Sequence, residues 1–293
     1  MSERIAFIGL GVMGAPMAKH LAAKYDITAF DVDKTKMGSI SGARQASSAA
    51  AAARGVDIVC LSLPGSEVVR DVVLGKEGLK AAMSRGSVII DHSTTSPTVS
   101  QEIAASLEES GISFLDAPVS GGEKAAIDGT LSVMVGGKEE VFSRCLDVLK
   151  TVGTTVVRTG DSGMGGVAKL VNNLIVGITF VAVAEGFALG TKSGLDPKVL
   201  YEAIRNGWAG SKVLDVSAEA MLARNFKPGG TVDIHWKDLG YALTLAREKD
   251  VPVPAAALAH EIFKTARASG RGRLSQPAIV QLWEKLLDIQ VGG

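Results

Sequence analysis

The sequence predicts an α/β fold in which a doubly wound sheet is followed by an all-helical half. Short runs rich in apolar and β-branched residues alternate with helical stretches through the first half. This alternation is typical of parallel strands joined by crossover helices. From Gly163 onward, apolar residues recur at helical spacing instead. The predicted strands are residues 4–8, 27–30, 58–63, 88–91, 113–116, 131–135 and 154–157.

The change of pattern near Gly163 divides the chain into two predicted domains, residues 1–162 and 163–293. A chain of 293 residues is long enough to bury two separate cores. In the second domain, Asp196 followed by Pro197 is a typical helix start, because aspartate caps the first turn and proline fits its first position. We therefore expect helices throughout the second domain.

The charge balance favours a small molecule as the partner. Lysine and arginine number 31, as do aspartate and glutamate, so the formal net charge is zero. Without an overall positive field, binding to nucleic acid or to an anionic membrane surface is not expected.

Cysteine and histidine usage predicts a metal-free protein of a reducing compartment. Cys60 and Cys145 are far apart, each within an apolar run, and form no disulfide framework. The histidines lack the spacing of metal ligands. They are His20, His92, His235 and His260. We expect a cytoplasmic location.

The apolar segments of the sequence predict neither a targeting signal nor a membrane span. The first ten residues lack the cleavage site of a secretory signal. The longest apolar region, residues 167–189, is interrupted by Lys169, by two asparagines and by Glu185. These polar residues leave a clean stretch too short to span a bilayer, so we interpret the region as a buried helix.

A glycine-rich turn at the start of the chain predicts a dinucleotide site in a Rossmann-like domain. Gly9, Gly11 and Gly14 form G-x-G-x-x-G between a predicted strand and a predicted helix. The first glycine permits the tight turn, the second lets the backbone approach the pyrophosphate, and the third allows close packing of helix on strand. The helix N-terminus then faces the phosphate charge.

The end of the second strand favours NAD over NADP. Asp31 lies where a carboxylate reaches the ribose 2′-hydroxyl of NAD and would repel the 2′-phosphate of NADP. No arginine follows directly, as it often does in NADP sites. Lys34 is nevertheless close in sequence, so binding of NADP stays an alternative. The alternative, which the spacing disfavours, is that Asp31 is an ordinary turn residue.

The helix that opens the second half carries the predicted chemistry. Lys169 and Asn173 lie one helical turn apart in an apolar stretch. A buried, unpaired lysine costs several kcal/mol, so a polar cavity at the domain junction would explain these residues. A desolvated lysine can donate or accept a proton. The alternative is that Lys169 extends to solvent and the asparagines bond the backbone.

Two further motifs lie at predicted strand ends. In the first, Ser120, Gly121 and Gly122 follow Asp116-Ala-Pro-Val, and their hydroxyl and amides suit a substrate carboxylate. An ordinary turn with left-handed glycines explains them equally well. In the second, Asp91 is followed by His92, Ser93 and Thr94 at the strand end where ligands bind in open α/β sheets.

Taken together, these motifs resemble the β-hydroxyacid dehydrogenase family, which contains 3-hydroxyisobutyrate dehydrogenase and tartronate semialdehyde reductase. The resemblance runs nearly end to end and keeps the order of the motifs. It comprises Ile8-Gly-Leu-Gly-Val-Met-Gly14, Leu63-Pro64, Asp91-x-Ser93-Thr94, Asp116-Ala-Pro-Val-Ser-Gly-Gly122, the helix of Lys169, and Lys237-Asp238-Leu239.

The resemblance implies hydride transfer between NAD(P) and a small 3-hydroxy acid, or the corresponding semialdehyde or keto acid. Lys169 is then the general acid or base. Ser120, Gly121, Gly122, Asn173 and Lys237 are the implied substrate-binding residues. Cofactor contacts are implied for Gly9, Leu10, Gly11, Val12, Met13, Gly14, Leu63, Pro64, Thr94 and Lys237.

The same resemblance implies a long interdomain helix and a homodimer or homotetramer. Two positions depart from the family pattern, because Gly166 stands where glutamine is common and His92 where a small residue is common. Imine reductases share the architecture but replace the lysine, and retention of Lys169 favours a hydroxyl substrate. The architecture is also compatible with an oxidative decarboxylase of the 6-phosphogluconate type and with a non-enzymatic NAD-binding protein.

Overall fold

The computed structural model describes residues 3–293 and confirms the predicted α/β class. The chain falls into two compact units, one ending at Lys169 and the other comprising Leu170–Gly293. The unit limit lies within a helix, Met164–Lys192. The predicted domain limit at residues 162 and 163 stays a prediction.

The first unit is built on one sheet with the strand order β3-β2-β1-β4-β5-β6-β8-β7, and β9 pairs with β8. The strands from β3 to β6 are parallel. Their carboxyl ends therefore meet at one edge, where open α/β sheets bind ligands. The strands are β1 Arg4–Ile8, β2 Asp26–Phe30, β3 Arg44–Gln45, β4 Ile58–Leu61, β5 Val88–Asp91, β6 Ser113–Asp116, β7 Val119–Ser120, β8 Leu131–Gly136 and β9 Gly153–Gly160.

Helices cover both faces of this sheet, so its central strands are apolar on both sides. In β1, Ile5 and Phe7 enter one core cluster, whereas Ala6 and Ile8 enter the other. This division follows from the two-residue period of a strand. The helices of the first unit are α1 Gly14–Ala22, α2 Lys34–Met37, α3 Ala49–Ala53, α4 Ser66–Leu74, α5 Leu79–Ala82, α6 Pro97–Glu108, α7 Gly122–Asp128 and α8 Glu139–Val152.

The prediction of parallel strands is wrong at one side of the sheet. β8 runs antiparallel to β6 and β7, with Asp116 opposite Gly136 and Val119 opposite Val133. The chain from β6 through β7 returns as β8, so α7 lies within the connection of a hairpin. A seven-residue helix is about 10 Å long, and the alternation of strand and helix in a sequence does not distinguish such an insertion from a crossover.

The second unit is helical, as predicted. The long helix, α9 Met164–Lys192, begins in the first unit and continues into the second. Asp196 caps the next helix through the amides of Lys198 and Val199, which confirms the predicted helix start. The remaining α-helices are α10 Pro197–Ile204, α11 Lys212–Leu222, α12 Val232–Glu248, α13 Pro254–Ala266 and α14 Val280–Leu287.

The prediction that α9 is a buried helix is only partly correct. By length and composition alone α9 is long and apolar enough to span a membrane, so the prediction that its apolar stretch is too short is wrong. Of its most apolar stretch, 39% is buried. Val171, Ile175 and Leu189 are exposed. Trp208, in the second unit, is fully exposed.

Candidate active site

The three glycines of the first turn differ in what the fold requires of them. Gly9 has a φ of +94°, and a Cβ there would lie 2.2 Å from the carbonyl oxygen of Ser62. A Cβ on Gly14 would lie 1.9 Å from the carbonyl oxygen of Gly9. A Cβ on Gly11 meets nothing within 4 Å. Packing therefore explains Gly9 and Gly14, whereas the open space at Gly11 fits a ligand that approaches the backbone closely.

The structure brings Asp31 to this glycine turn. Its buried carboxylate accepts a hydrogen bond from the amide of Leu10 at 2.6 Å and another from the amide of Asp33 at 2.8 Å. Lys36 Nζ lies 3.9 Å from Oδ1 of Asp31. Asp31 thus shapes its own turn and also anchors the glycine turn. The carboxylate has further lone pairs with which to accept a hydrogen bond from a ribose hydroxyl.

The loops that carry the predicted cofactor residues after β4 and β5 are linked by a hydrogen bond to a side chain. Leu63 donates its amide to Ser93 Oγ at 2.8 Å, and Ser93 donates its amide to Asp91 Oδ1 at 2.9 Å. Pro64 and Thr94 flank these contacts in sequence, and both retain exposed surface. The loops that follow the two neighbouring strands are therefore fixed relative to each other at the ligand-binding edge of the sheet.

His92 is a buried structural residue in this loop. Its Nδ1 lies 2.9 Å from the carbonyl oxygen of Ala117, which only accepts, so Nδ1 carries the proton. Burial lowers the pKa of His92 to about 4. The imidazole is therefore neutral at physiological pH and ties the β5 end to the chain after β6.

Ser120 ends β7, Gly121 is the one residue between β7 and α7, and Gly122 begins α7. Gly121 has a φ of +138° and Gly122 a φ of +72°, so both adopt the backbone conformation that favours glycine. Ser120 pairs with Ser132 of β8. All three residues retain exposed surface, and a Cβ on Gly122 meets nothing within 4 Å.

Lys169 lies in the second turn of α9 and is partly exposed. The first turn of this helix packs on Asp116, the last residue of β6. The buried Asp116 carboxylate accepts hydrogen bonds from the amides of Gly163 at 2.7 Å and Gly166 at 2.9 Å. Gly166, the departure from the family pattern, is thus part of the helix start.

Two buried acids lie side by side at the strand ends, and neither was among the predicted site residues. Asp91 of β5 is in register with Asp116 of β6. Burial raises the pKa of Asp91 to about 7 and that of Asp116 to about 6. In sequence, the signal is an aspartate that ends each of two neighbouring apolar strands.

In the second unit, Asn173 is fixed by residues of α12. Its Nδ2 donates to Asp238 Oδ2 at 2.7 Å, and Lys237 Nζ lies 3.2 Å from Asp238 Oδ1. His235 Nε2 lies 3.1 Å from the carbonyl oxygen of Asn173, and its ring packs between Phe180 and Phe263. The structure therefore joins the predicted residues Asn173 and Lys237 through Asp238, which was not predicted as a site residue.

Within residues 3–293, no group of three or more His, Cys, Asp or Glu side chains is arranged to hold a metal ion. Both cysteines are buried and free in that part of the chain. The absence of a metal cofactor stays a prediction.

Comparison with known families covers nearly the whole chain. Residues 4–160 match the NAD binding domain of 6-phosphogluconate dehydrogenase. Residues 163–283 match a domain described as NAD-binding of NADP-dependent 3-hydroxyisobutyrate dehydrogenase. Both halves therefore match domains of nicotinamide-dependent dehydrogenases.

Curated relatives are similar over almost their full length. The 2-(hydroxymethyl)glutarate dehydrogenase of Eubacterium barkeri is 37% identical over 100% of this chain and 98% of its own. The 2-hydroxy-3-oxopropionate reductase of Escherichia coli is 36% identical, with 96% and 97% covered.

Solved structures agree with these sequence matches. A Mycobacterium tuberculosis 3-hydroxyisobutyrate dehydrogenase with L-serine has a TM-score of 0.87 at 32% identity and covers 96% of this chain and 99% of its own. Imine reductases from Myxococcus stipitatus, a Pseudomonas species and Streptomyces aurantiacus, at 16–19% identity, share the fold. The chain therefore belongs to the β-hydroxyacid dehydrogenase family of NAD(P)-dependent oxidoreductases, as its motifs predict.

Proposed function

We propose that this protein oxidises a small 3-hydroxy acid with NAD and that Lys169 moves the hydroxyl proton. The observation that carries the proposal is the pair of Lys169 and Asn173 on α9. One residue is able to exchange a proton, and the amide of the other is fixed by Asp238 at 2.7 Å. A chain that only bound NAD would need neither.

The chemistry divides between cofactor and protein. Bound NAD supplies the acceptor for the hydride that leaves the carbinol carbon. Lys169 Nζ, as the neutral amine, takes the hydroxyl proton, so that the alcohol becomes a carbonyl. In the reverse direction the ammonium form of Lys169 returns the proton to the carbonyl oxygen.

The other predicted residues are proposed to bind and orient the substrate and cofactor. Ser120, Gly121 and Gly122 offer a hydroxyl and backbone amides to the substrate carboxylate. The amide of Asn173 and the ammonium of Lys237 offer hydrogen bonds to the substrate, and Lys237 also serves the nicotinamide end of the cofactor. We propose that residues 1–162 bind the cofactor and that residues 163–293 complete the substrate site and form the oligomer.

We propose NAD as the preferred cofactor. Asp31 accepts from Leu10 in the glycine turn, so its carboxylate is held beside the predicted phosphate site. A carboxylate there binds a ribose 2′-hydroxyl and repels a 2′-phosphate. Lys36, 3.9 Å from Asp31 and 3.7 Å from Asp33, is the residue through which NADP would bind if it is accepted.

The names of the relatives narrow the substrate class. The substrates named for the relatives at 34–38% identity are 2-(hydroxymethyl)glutarate, 2-hydroxy-3-oxopropionate, 3-hydroxyisobutyrate and L-serine. In its alcohol form, each has a hydroxymethyl group bonded to the carbon that bears the carboxylate. They differ only in the second substituent on that carbon. We therefore propose a 2-substituted 3-hydroxypropanoate as the substrate.

The test is nicotinamide absorbance across a panel of such acids and their semialdehydes, with NAD and NADP assayed separately. The panel includes 3-hydroxyisobutyrate, glycerate, serine and 2-(hydroxymethyl)glutarate, with threonate and 4-hydroxybutyrate outside the class. We expect turnover of one compound in the class, and Lys169→Ala is expected to reduce kcat by about 10² to 10⁴, as for other general acid-base groups.

The matched control is Lys192→Ala at the other end of α9, where Nζ donates to the carbonyl oxygen of Leu287. This variant is expected to retain the wild-type kcat. Partial recovery of Lys169→Ala by added ethylamine would support the proton role directly. Turnover by Lys169→Ala at the wild-type rate contradicts the proposal.

We further propose a cytoplasmic homodimer or homotetramer that has neither nucleic acid nor a membrane as its partner. The balanced charge of the chain and its two free, buried cysteines support this proposal. Exposed apolar side chains on α9 support association of the chain with itself.

A further inference from the structure

The N-terminus of α9 is capped by a residue from a distant part of the sequence. The segment Gly163-Met164-Gly165-Gly166 opens the helix and contains no side chain of the usual capping types. Asp116 supplies the cap instead, because Oδ1 accepts from Gly163 and Oδ2 from Gly166. Two of the amides that a helix start leaves unpaired are thereby satisfied by one carboxylate.

The surrounding backbone is packed against this carboxylate. A Cβ on Gly136 would lie 2.5 and 2.7 Å from the two oxygens of Asp116. A Cβ on Gly165 would lie 2.4 Å from the carbonyl oxygen of Asp116 and 2.5 Å from that of Met134. The first turn of α9 therefore contacts β6 and β8 without intervening side chains, which leaves little freedom for the helix to slide or rotate.

The electrostatics of the contact support an ionised carboxylate. Burial raises the pKa of Asp116, and the hydrogen bonds from Gly163, Gly166 and Gly165 oppose that rise. The amino end of a helix carries partial positive charge, which also favours an anion there. At neutral pH both oxygens are therefore free to accept, as the two bonds require.

We propose that Asp116 is a positioning residue that sets the place of Lys169. Lys169 follows Gly166 by three residues, about 4.5 Å along the helix axis, so the capped turn is the one directly before it. Asp116 also precedes Ser120 by four residues on the segment proposed to hold the substrate carboxylate. One carboxylate thus connects the proton-transfer residue to that segment. This inference rests on the proposed role of Lys169.

Asp116→Asn tests the proposal with minimal change of shape. The amide oxygen accepts from one backbone N–H, but its NH₂ group faces the other N–H, so one bond is lost. We expect kcat to fall by about 10- to 100-fold, the cost of a small misplacement of a reacting group. KM for the acid and the dissociation constant of NADH are expected to change less than threefold.

A double-mutant cycle separates positioning from general damage. If Asp116 acts through Lys169, Asp116→Asn has no further effect on kcat in the Lys169→Ala background, with or without ethylamine. An equal loss in both backgrounds overturns the proposal. If Lys169→Ala itself retains wild-type turnover, the proposed function has failed. A large effect of Lys169→Ala with none of Asp116→Asn refutes the positioning role alone.

Asp196→Ala is the matched control, because it also removes an aspartate that caps a helix through two amides, at 2.8 and 3.0 Å. We expect a loss of stability without a loss of kcat. Asp116→Ser, which leaves room for water at the two amides, is the second variant and is expected to show the same loss of kcat. If neither Asp116 variant folds, Asp116 is a residue of the fold and the positioning role is rejected.

Discussion

At the scale of single residues, substitution by alanine is expected to have different effects at Gly11 and at Gly14 of the first turn. Gly11→Ala adds a methyl group in open space, so the free energy of unfolding should change by no more than about 0.5 kcal/mol. The same methyl group occupies the space proposed for the pyrophosphate, and NADH affinity should fall at least tenfold. Thermal unfolding and a fluorescence titration with NADH measure the two effects.

Gly14→Ala is the contrasting variant, since its methyl group would meet the carbonyl oxygen of Gly9 at 1.9 Å. It should lower the free energy of unfolding by about 1–3 kcal/mol, as overpacking does. Unchanged NADH affinity in Gly11→Ala would contradict the assignment of the glycine turn to the cofactor.

Removing the charge of Asp91 is expected to raise the free energy of unfolding by an amount that depends on pH. Burial raises its pKa to about 7, whereas the unfolded chain has a carboxyl of ordinary pKa near 3.9. The folded protein therefore retains a proton that the unfolded chain releases. The resulting stabilisation is complete below pH 4 and is lost as the pH rises to 7. The side chain of Asp91→Asn is uncharged at every pH. The free energy of unfolding of this variant should therefore rise relative to that of wild type between pH 5 and pH 8, by up to about 3 kcal/mol.

Urea unfolding at pH 5 and pH 8 measures this difference, and Asp57→Asn is the control. The backbone hydrogen bond from Arg4 lowers the pKa of Asp57, so that group titrates below pH 4 in both states. The difference between Asp57→Asn and wild type should therefore be the same at pH 5 and pH 8. An equally constant difference for Asp91→Asn would show that Asp91 is ionised at both pH values.

At the scale of elements, the predicted strands were short runs rich in apolar and β-branched residues. β4 and β5 are buried on both faces, and such runs are visible in sequence. β3 and β7 have two residues each and show no pattern. The direction of β8 was also missed, because it depends on pairing with β7 rather than on the residues of β8 itself.

The site follows the same division between local and distant contacts. Local spacing predicted the glycine turn and Asp31, which the structure joins by a hydrogen bond. The contact of Asp116 with Gly163 joins residues 47 apart in sequence, and that of Asn173 with Asp238 joins residues 65 apart. No local pattern encodes such pairs, so the roles of Asp116 and Asp238 emerge only from the folded chain.

At the scale of the whole molecule, α9 links sequence pattern to assembly. A helix that is apolar all round is expected to be buried, yet Val171, Ile175 and Leu189 are exposed on it. Periodicity does not show which neighbour covers such a helix. Most of the exposed large apolar side chains lie in the second unit, which is where the proposed interface between copies would form.

Two pairs of residues with equal exposure test this interface. Val171 and Ile175 on α9 are 50% and 58% exposed, while Val157 and Ile127 in the first unit are 51% and 57% exposed. The double variant Val171→Lys with Ile175→Lys places two charges on the proposed interface and should yield particles near the chain mass of 30.3 kDa. Val157→Lys with Ile127→Lys adds the same charge elsewhere and should keep the wild-type mass, two or four times that of the chain.

Light scattering after size-exclusion chromatography measures these masses. The two double variants add the same charge at sites of similar exposure and differ only in location, so a difference in mass between them is an effect of location. Monomers from both double variants would indicate a general effect of added charge. A wild-type protein that is already monomeric at micromolar concentration would refute the proposed oligomer. Dissociation by the α9 variant alone would explain why an apolar helix keeps an exposed face, since a second copy of the chain covers that face in solution.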